Sequence, residues 1–171
     1  MTDVLWHGRG GQGAFTAARL LGASYVLQGG YALAFPSFGP ERRGAPMRAF
    51  TKLDIVPVTS RCEIRSSDFT VYLDDTLLPG QIPEGTGRIL VNSSHSYSNP
   101  RVVSFDASKL TAELTGSPIV NTAMLGALAA LWDGITIEAL DKGIEAVLPK
   151  RLWESNKALV RASYDAVGVR K

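Results

Sequence analysis

The sequence predicts a Rossmann-like α/β fold in three layers, with a mostly parallel sheet flanked by helices. Short apolar segments alternate with segments of helical periodicity, which is typical of a parallel sheet with covering helices. A glycine-rich turn separates the first apolar segment from the first helical one. Because 171 residues can bury roughly two-thirds of their unfolded surface in one core, and no linker or repeat divides the chain, we interpret residues 1–171 as a single domain.

The individual elements follow from the apolar pattern in chain order. Strands are predicted near residues 4–7, 31–35, 47–53, 69–73, 88–92 and 101–104, and helices near 12–28, 106–114, 122–132, 137–147 and 152–167. In the first helix Phe15, Ala18 and Leu21 recur at helical spacing, and Gly29 ends it. Asn121 is placed either to cap the third helix or to contact a ligand.

The glycine-rich turn is Gly8-Arg9-Gly10-Gly11-Gln12-Gly13, between the first strand and the first helix. Consecutive glycines leave backbone N–H groups free to face an anion, and the helix adds its positive dipole end. The spacing matches the dinucleotide fingerprint, but segment 31–38 lacks the acidic residue that this fingerprint places about 20 residues later. The glycines of the turn therefore have three interpretations: close packing of the helix on the sheet, an anion or cofactor contact, and, as the weakest, nicotinamide binding.

A second anion-binding feature is the loop from Pro36 to Pro46. Five of its eleven residues are Pro or Gly, which favours an ordered loop. From this frame Arg42 and Arg43 are suited to grip a phosphate or a partner's carboxylate; the alternative is an internal pair between Glu41 and an arginine. The predicted anion-contacting surface is made of Gly10, Gly11, Gln12, Gly13, Arg42 and Arg43.

The other reactive side chains support no catalytic or metal site. Cys62 is the only cysteine, and we interpret it as a small semi-buried residue. His7 is interpreted as a packed histidine at a strand end, with a ligand contact as the alternative. Asp74 and Asp75 follow a predicted strand, where capping of the next turn is favoured over metal binding.

Charge and composition narrow the possible partners and location. Eighteen basic and sixteen acidic residues give a net charge of +2, too balanced to indicate a nucleic-acid or membrane partner. No apolar run approaches the ~20 residues that a bilayer span requires. The start at Met1 lacks the features of a signal peptide. We expect a cytoplasmic protein.

Three sequence blocks, in order along nearly the whole chain, carry a resemblance to a known family. They are Gly8–Gly13, the segment Ala34–Pro46 with its Phe-Gly-Pro-Glu-Arg-Arg-Gly-Ala-Pro string, and Asn121–Leu128, followed by a late helix containing Asn156. With these blocks the chain resembles the gamma subunit, or gamma domain, of 2-oxoacid:ferredoxin oxidoreductases. The pyruvate:ferredoxin oxidoreductase branch is the most similar.

The resemblance implies a non-catalytic subunit of an enzyme that oxidatively decarboxylates a 2-oxoacid, usually to an acyl-coenzyme A. The resemblance further implies that the alpha and beta subunits hold thiamine diphosphate with Mg. It implies that the ferredoxin-like delta subunit, and often beta, carries [4Fe-4S] clusters that reduce ferredoxin or another acceptor. A single cysteine agrees with that division, since a cluster normally needs four thiolates.

The same resemblance implies that the anion-contacting surface helps to bind or admit coenzyme A. Two alternatives remain from the residues themselves. One is a stand-alone nicotinamide-dependent dehydrogenase. The other is a pure assembly module, in which the glycine turn and the arginines bind only neighbouring subunits.

Overall fold

The computed structural model describes residues 1–37 and 43–168, and within these ranges it has six strands and five α-helices. The strands are β1 Thr2–Arg9, β2 Tyr31–Pro36, β3 Pro46–Asp54, β4 Ser67–Tyr72, β5 Thr86–Asn92 and β6 Val102–Phe105. The helices are α1 Ala14–Leu27, α2 Ala107–Thr115, α3 Asn121–Leu131, α4 Ile137–Val147 and α5 Trp153–Gly168. Every predicted element is present with bounds close to those expected.

The described strands form one sheet in the order β2-β3-β1-β4-β5-β6. Strands β1, β4, β5 and β6 are parallel neighbours, whereas β3 runs antiparallel to both β1 and β2. The α/β class and the mostly parallel sheet are therefore confirmed. Strands β2 and β3 form a hairpin, so the predicted arginine loop is the hairpin connection, and its residues 43–45 lie beside the carboxyl end of β1.

The helices of the described ranges pack in two layers on one face of the sheet. Helix α1 contacts β1, β2 and β3, and α3 contacts β5; α4 then packs on α1, and α5 on α3. The opposite face carries Tyr72, Ile89 and Val91, covered by side chains of loops such as Ile82 and Tyr97. Strands β4, β5 and β6 follow one another without an α-helix between them, and this is why the second face receives loops.

Helix α3 is the central helix of the domain. All eleven of its residues are buried, which is typical of a helix that is apolar on every side. Gly126 lets α5 approach closely, since a Cβ there would lie 2.3 Å from the carbonyl oxygen of Val160. This packing fixes the N-terminus of α3, with Asn121, against the glycine turn.

A buried polar contact joins the sheet to α1. Trp6 Nε1 donates to Thr51 Oγ1 at 3.0 Å, and the Thr51 hydroxyl donates to the carbonyl oxygen of Ala18 at 3.1 Å. All three residues are fully buried, so each hydrogen bond satisfies a group that would otherwise be costly to desolvate. The contact fixes α1, and hence its N-terminus, relative to β1 and β3.

The loop between β3 and β4 corrects one sequence-based expectation. Cys62 lies in this loop and is exposed rather than semi-buried. Its neighbour Glu63 accepts hydrogen bonds from Ser37 Oγ and Arg48 Nη2, both at 3.2 Å. The loop is therefore attached through its glutamate to Ser37, directly after β2, and to Arg48 in β3, whereas Cys62 is exposed.

Candidate anion-binding site at the carboxyl edge of the sheet

The glycine turn closes through hydrogen bonds between Arg9 and Gln12. The backbone N–H of Gln12 donates to the Arg9 carbonyl at 2.9 Å, and the Arg9 N–H donates to Gln12 Oε1 at 2.7 Å. Gly11 and Gly13 have φ angles of 97° and 81°, a region that residues with a Cβ rarely adopt. The backbone of the turn therefore favours glycine at these two positions.

The N-terminus of α1 follows directly from this turn. Gly13 is the N-cap, and no side chain of the described residues caps the helix. The first turn of α1 contains no acidic residue. The first N–H groups of a helix have no partner inside it, so at α1 they are available to an external acceptor. The helix dipole adds positive potential at the same point.

A second helix N-terminus lies against the first. Asn121 Nδ2 donates to the carbonyl oxygen of Gly13 at 3.4 Å, and a Cβ on Gly13 would meet that nitrogen at 2.5 Å. The capping expectation for Asn121 is wrong, because Val120 occupies the N-cap position and Asn121 is already the first helical residue. Its Oδ1 accepts instead from the N–H of Thr122 at 2.9 Å. Asn121 thus joins the starts of α1 and α3.

The hairpin connection reaches this edge through backbone contacts with Gly10. The N–H of Gly10 donates to the carbonyl of Ala45 at 2.9 Å, and the N–H of Gly44 donates to the carbonyl of Gly10 at 3.0 Å. Gly10 also forms an isolated bridge with Arg43, whose side chain is exposed. Two predicted features, the turn and one of the two arginines, therefore meet. Arg42 and Glu41, including the alternative ion pair, lie outside the described residues.

Sequence reasoning missed the ion pair beside the turn. Arg9 Nε donates to Asp74 Oδ2 at 3.0 Å, Nη1 to the carbonyl of Gly44 at 3.3 Å, and Nη2 to Thr76 Oγ1 at 2.8 Å. Gln12 Nε2 also donates to Asp74 Oδ2, at 3.2 Å. The predicted capping role of Asp74 is found as well, since its Oδ1 accepts from the N–H of Thr76 at 3.0 Å.

The electrostatics of Asp74 reflect these contacts. Burial raises the pKa of its carboxyl, but hydrogen bonds from Thr76, Gln12 and Arg9 together lower it below the usual value. The pair follows from the strand register: β1 and β4 are parallel with His7 opposite Tyr72, so Arg9 and Asp74 each follow that position by two residues. Recognising it requires the strand order, which the sequence alone does not provide.

The neighbouring carboxylate, Asp75, faces away from the turn. Ser93 Oγ donates to Asp75 Oδ2 at 2.7 Å, and Tyr97 OH donates to Ser93 Oγ at 3.3 Å. His95 Nδ1 lies 3.6 Å from Asp75 Oδ2, with its side chain 78% exposed. Asp74 and Asp75 therefore hold different loops, the first the glycine turn and the second the loop after β5.

His7 packs at the end of β1, outside the anion-binding surface. Its ring stacks on Tyr72, with centroids 4.5 Å apart and planes 9° from parallel. Burial, with a smaller effect from the Arg48 cation, lowers the pKa of His7 to about 4. The imidazole is therefore neutral at pH 7, and its contacts agree with the packed-histidine interpretation.

Acidification is expected to destabilise the domain through His7. Because the folded pKa is about 4 and the unfolded value is near 6.5, the unfolded chain binds an extra proton between these values, and the free energy of unfolding falls as pH drops. The loss is at most about 3 kcal/mol. Urea unfolding at a series of pH values should show a weaker acid dependence in His7→Phe, which keeps a ring on Tyr72. Equal slopes in His7→Phe and wild type would contradict the assignment.

Comparison with known proteins agrees with this architecture. Residues 3–166 match the pyruvate ferredoxin/flavodoxin oxidoreductase family. The chain is 38% identical over 175 residues to the pyruvate synthase subunit PorC of Methanothermobacter thermautotrophicus, covering 98% of this chain and 96% of that protein. It is 37% identical over 182 residues to the common gamma subunit of the pyruvate/ketoisovalerate oxidoreductases of Pyrococcus furiosus, with 99% and 98% covered.

A solved structure gives the same result. The crystal structure of the pyruvate oxidoreductase subunit PORC of Thermotoga maritima superposes with a TM-score of 0.83 at 33% identity, covering 96% of this chain and 95% of that one. The chain belongs to the pyruvate ferredoxin/flavodoxin oxidoreductase family. Within it, the chain is of the gamma type, a subunit of an oxidoreductase complex. The resemblance drawn from the three sequence blocks is confirmed.

Two further findings concern possible cofactor and membrane contacts. Among residues 1–37 and 43–168 there is no group of three or more His, Cys, Asp or Glu side chains that could hold a metal ion. Over the same ranges no helix is both long enough and apolar enough to cross a bilayer.

Proposed function

We propose that this chain serves a pyruvate-oxidising complex by binding the phosphate groups of coenzyme A at the glycine turn. The observation that carries the proposal is the bridge between Gly10 and Arg43. It brings the backbone of Arg43 beside Gly10, three residues before the N-cap of α1, so a backbone anion receptor and an arginine occupy the same edge of the sheet. Phosphate is the anion class that both receptors suit.

The roles of the proposed phosphate-binding residues follow from the hydrogen bonds of their backbone N–H groups. In the described part of the chain, the backbone N–H groups of Gly11 and Gly13 have no partner, whereas those of Gly10 and Gln12 are used inside the protein. Gly11 and Gly13, with the first turn of α1, therefore supply donors. Gln12 shapes the turn, and Arg43, together with Arg42, supplies positive charge.

The adjacent start of α3 enlarges the positive region. Its N-cap residue Val120 makes no side-chain cap and its first turn has no acid, although the N–H of Thr122 is already used by Asn121 Oδ1. Two helix N-termini that meet at Gly13 and Asn121 suit a ligand with more than one phosphate, such as the diphosphate of coenzyme A, better than a single phosphate.

The remaining chemistry is assigned to other subunits. We propose that alpha and beta subunits hold thiamine diphosphate with Mg, and that beta and a ferredoxin-like delta subunit hold [4Fe-4S] clusters that reduce ferredoxin or another acceptor. Thiamine diphosphate would supply the decarboxylation chemistry. In this scheme the gamma chain binds and orients coenzyme A in the cytoplasmic complex and makes or breaks no bond.

The test uses the assembled complex, with the gamma chain carrying Arg43→Gln or Arg42→Gln. Loss of one charge-assisted contact to phosphate is expected to raise the KM for coenzyme A about tenfold and to leave the KM for pyruvate unchanged. Arg48→Gln is the matched control, because Arg48 is paired with Glu63 at 3.2 Å; it should change neither constant.

Backbone contacts are tested separately by hydrogen exchange. Coenzyme A should protect the amides of residues 10–16 in the wild-type complex. An unchanged KM in both arginine variants, or no protection of these amides, would contradict the proposal. If the arginine variants instead lose their partner subunits during purification, the assembly-module alternative is supported.

A further inference from the structure

Asp74 lies at the carboxyl end of β4 and contacts both polar side chains of the glycine turn. Its Oδ2 accepts from Arg9 Nε at 3.0 Å and from Gln12 Nε2 at 3.2 Å. Its Oδ1 accepts from the N–H and the hydroxyl of Thr76 at 3.0 and 2.5 Å. The side chain is 17% exposed, and four donors occupy most of the acceptor capacity of a carboxylate. Asp74 is therefore held in one orientation, and it holds its partners in turn.

Arg9 and Gln12 connect this fixed carboxylate to the proposed anion-binding groups. Gln12 closes the turn by accepting from the N–H of Arg9 at 2.7 Å. Arg9 reaches the hairpin connection by donating from Nη1 to the carbonyl of Gly44 at 3.3 Å. Because Gly44 follows Arg43 in the chain, a continuous set of contacts runs from Asp74 to the backbone beside the proposed phosphate-binding arginine.

The guanidinium of Arg9 donates from all three of its nitrogens. Its Nε, Nη1 and Nη2 donate to Asp74, Gly44 and Thr76 respectively. Three of its five N–H donors are thus used within the protein, and they hold the guanidinium in one orientation. Arg9 thus differs from the exposed Arg43: its charge balances Asp74, and its geometry links the turn to the hairpin connection.

We propose that Asp74 is a positioning residue for the anion-binding surface. It orients Gln12 and Arg9 so that the N–H groups of the turn and the Arg43 side chain face the same ligand, without touching that ligand itself. This inference rests on the proposed coenzyme A function and names the residue that gives the site its shape.

A carboxylate close to an anion site can act in two opposite ways. As a bare charge it repels phosphate, so its removal raises affinity, and most strongly at low ionic strength. As an anchor it maintains geometry, so its removal lowers affinity at every ionic strength. Because Asp74 is paired with Arg9 at 3.0 Å, we assign it the second role.

The experiment compares Asp74→Asn with Asp75→Asn in the assembled complex. The two variants remove the same charge at adjacent positions, but Asp75 contacts Ser93 and not the turn. Asp74→Asn is expected to raise the KM for coenzyme A about tenfold at both low and high salt, the size of one charge-assisted hydrogen bond. The KM for pyruvate should stay unchanged, and Asp75→Asn should alter neither constant.

Three outcomes would overturn the positioning role: a KM for coenzyme A that falls at low salt, identical behaviour of the two variants, or a parallel rise in both KM values. If Asp74→Asn fails to assemble, the isosteric Thr76→Val replaces it. That variant removes one acceptor from Arg9 and one donor to Asp74. It should raise the KM for coenzyme A about threefold, and no change would also overturn the role.

Failure of this inference is distinguishable from failure of the proposed function. If coenzyme A does not protect the amides of residues 10–16 in the wild-type complex, coenzyme A binding at the turn is wrong and the positioning role falls with it. If protection is seen and Asp74→Asn binds coenzyme A normally, only the role of Asp74 is wrong.

Discussion

Replacing Gly126 with alanine is expected to lower the free energy of unfolding by about 3 kcal/mol, the upper end of the cost of overpacking a core. The new Cβ would lie 2.3 Å from the carbonyl oxygen of Val160 and 2.8 Å from its Cα. These are backbone atoms, which no side-chain rotation can move away. Helix α3 is buried over its whole length, so α5 would have to shift outward and lose packing. Urea unfolding of the isolated chain measures the effect.

Gly22→Ala is the matched control in another packed helix. There the new Cβ would lie 3.5 Å from the Cβ atoms of Ala32 and Ala34, which is ordinary contact. Because alanine favours a helix over glycine by up to about 1 kcal/mol, this variant should be as stable as the wild type or more stable. Equal stability of Gly126→Ala and Gly22→Ala would contradict the proposed crossing of α3 and α5.

Replacing Gly13 with alanine should damage both stability and the anion-binding surface. Its φ of 81° is expected to cost an alanine about 1–2 kcal/mol, and the Cβ would lie 2.5 Å from Asn121 Nδ2. Asn121 is 7% exposed, so it cannot turn into solvent without moving α3. We expect a total loss of about 2–4 kcal/mol in the free energy of unfolding. In the complex, we also expect a higher KM for coenzyme A.

Gly11→Ala separates backbone strain from the contact with α3. Gly11 has a φ of 97°, and a Cβ there would meet no atom within 4 Å. This variant should therefore lose only the strain component, about 1–2 kcal/mol. If Gly11→Ala proves as destabilising as Gly13→Ala in urea unfolding, the close contact between Gly13 and Asn121 does not add to the cost of an alanine at position 13.

The strands and helices were predictable because their information is local. Apolar spacing in α1, and Gly29 after it, gave the element and its end, and the structure has both. The glycine turn and the arginine loop were likewise visible as composition. The contact between these two segments, through Gly10 and Arg43, could not be predicted from composition, because it depends on β3 running antiparallel beside β1.

The ion pair of Arg9 and Asp74 is a second contact that the sequence alone did not predict. The residues are 65 positions apart, and they meet only because β4 lies next to β1 in the sheet. Strand order is a property of long-range packing, which periodicity does not encode. The capping role assigned to Asp74 was local and was found; the ion pair was non-local and was missed.

The placement of both helical layers on one face makes the domain unequal in thickness about its sheet. Since a helix with its side chains is about 10–12 Å wide, two helical layers put roughly 20 Å of protein on one face of the sheet, whereas loops cover Tyr72, Ile89 and Val91 on the other. A neighbouring subunit that docks on the sheet would therefore meet loops on the face of Tyr72, Ile89 and Val91, and helices on the opposite face. The two faces of the sheet therefore offer different surfaces to a binding partner.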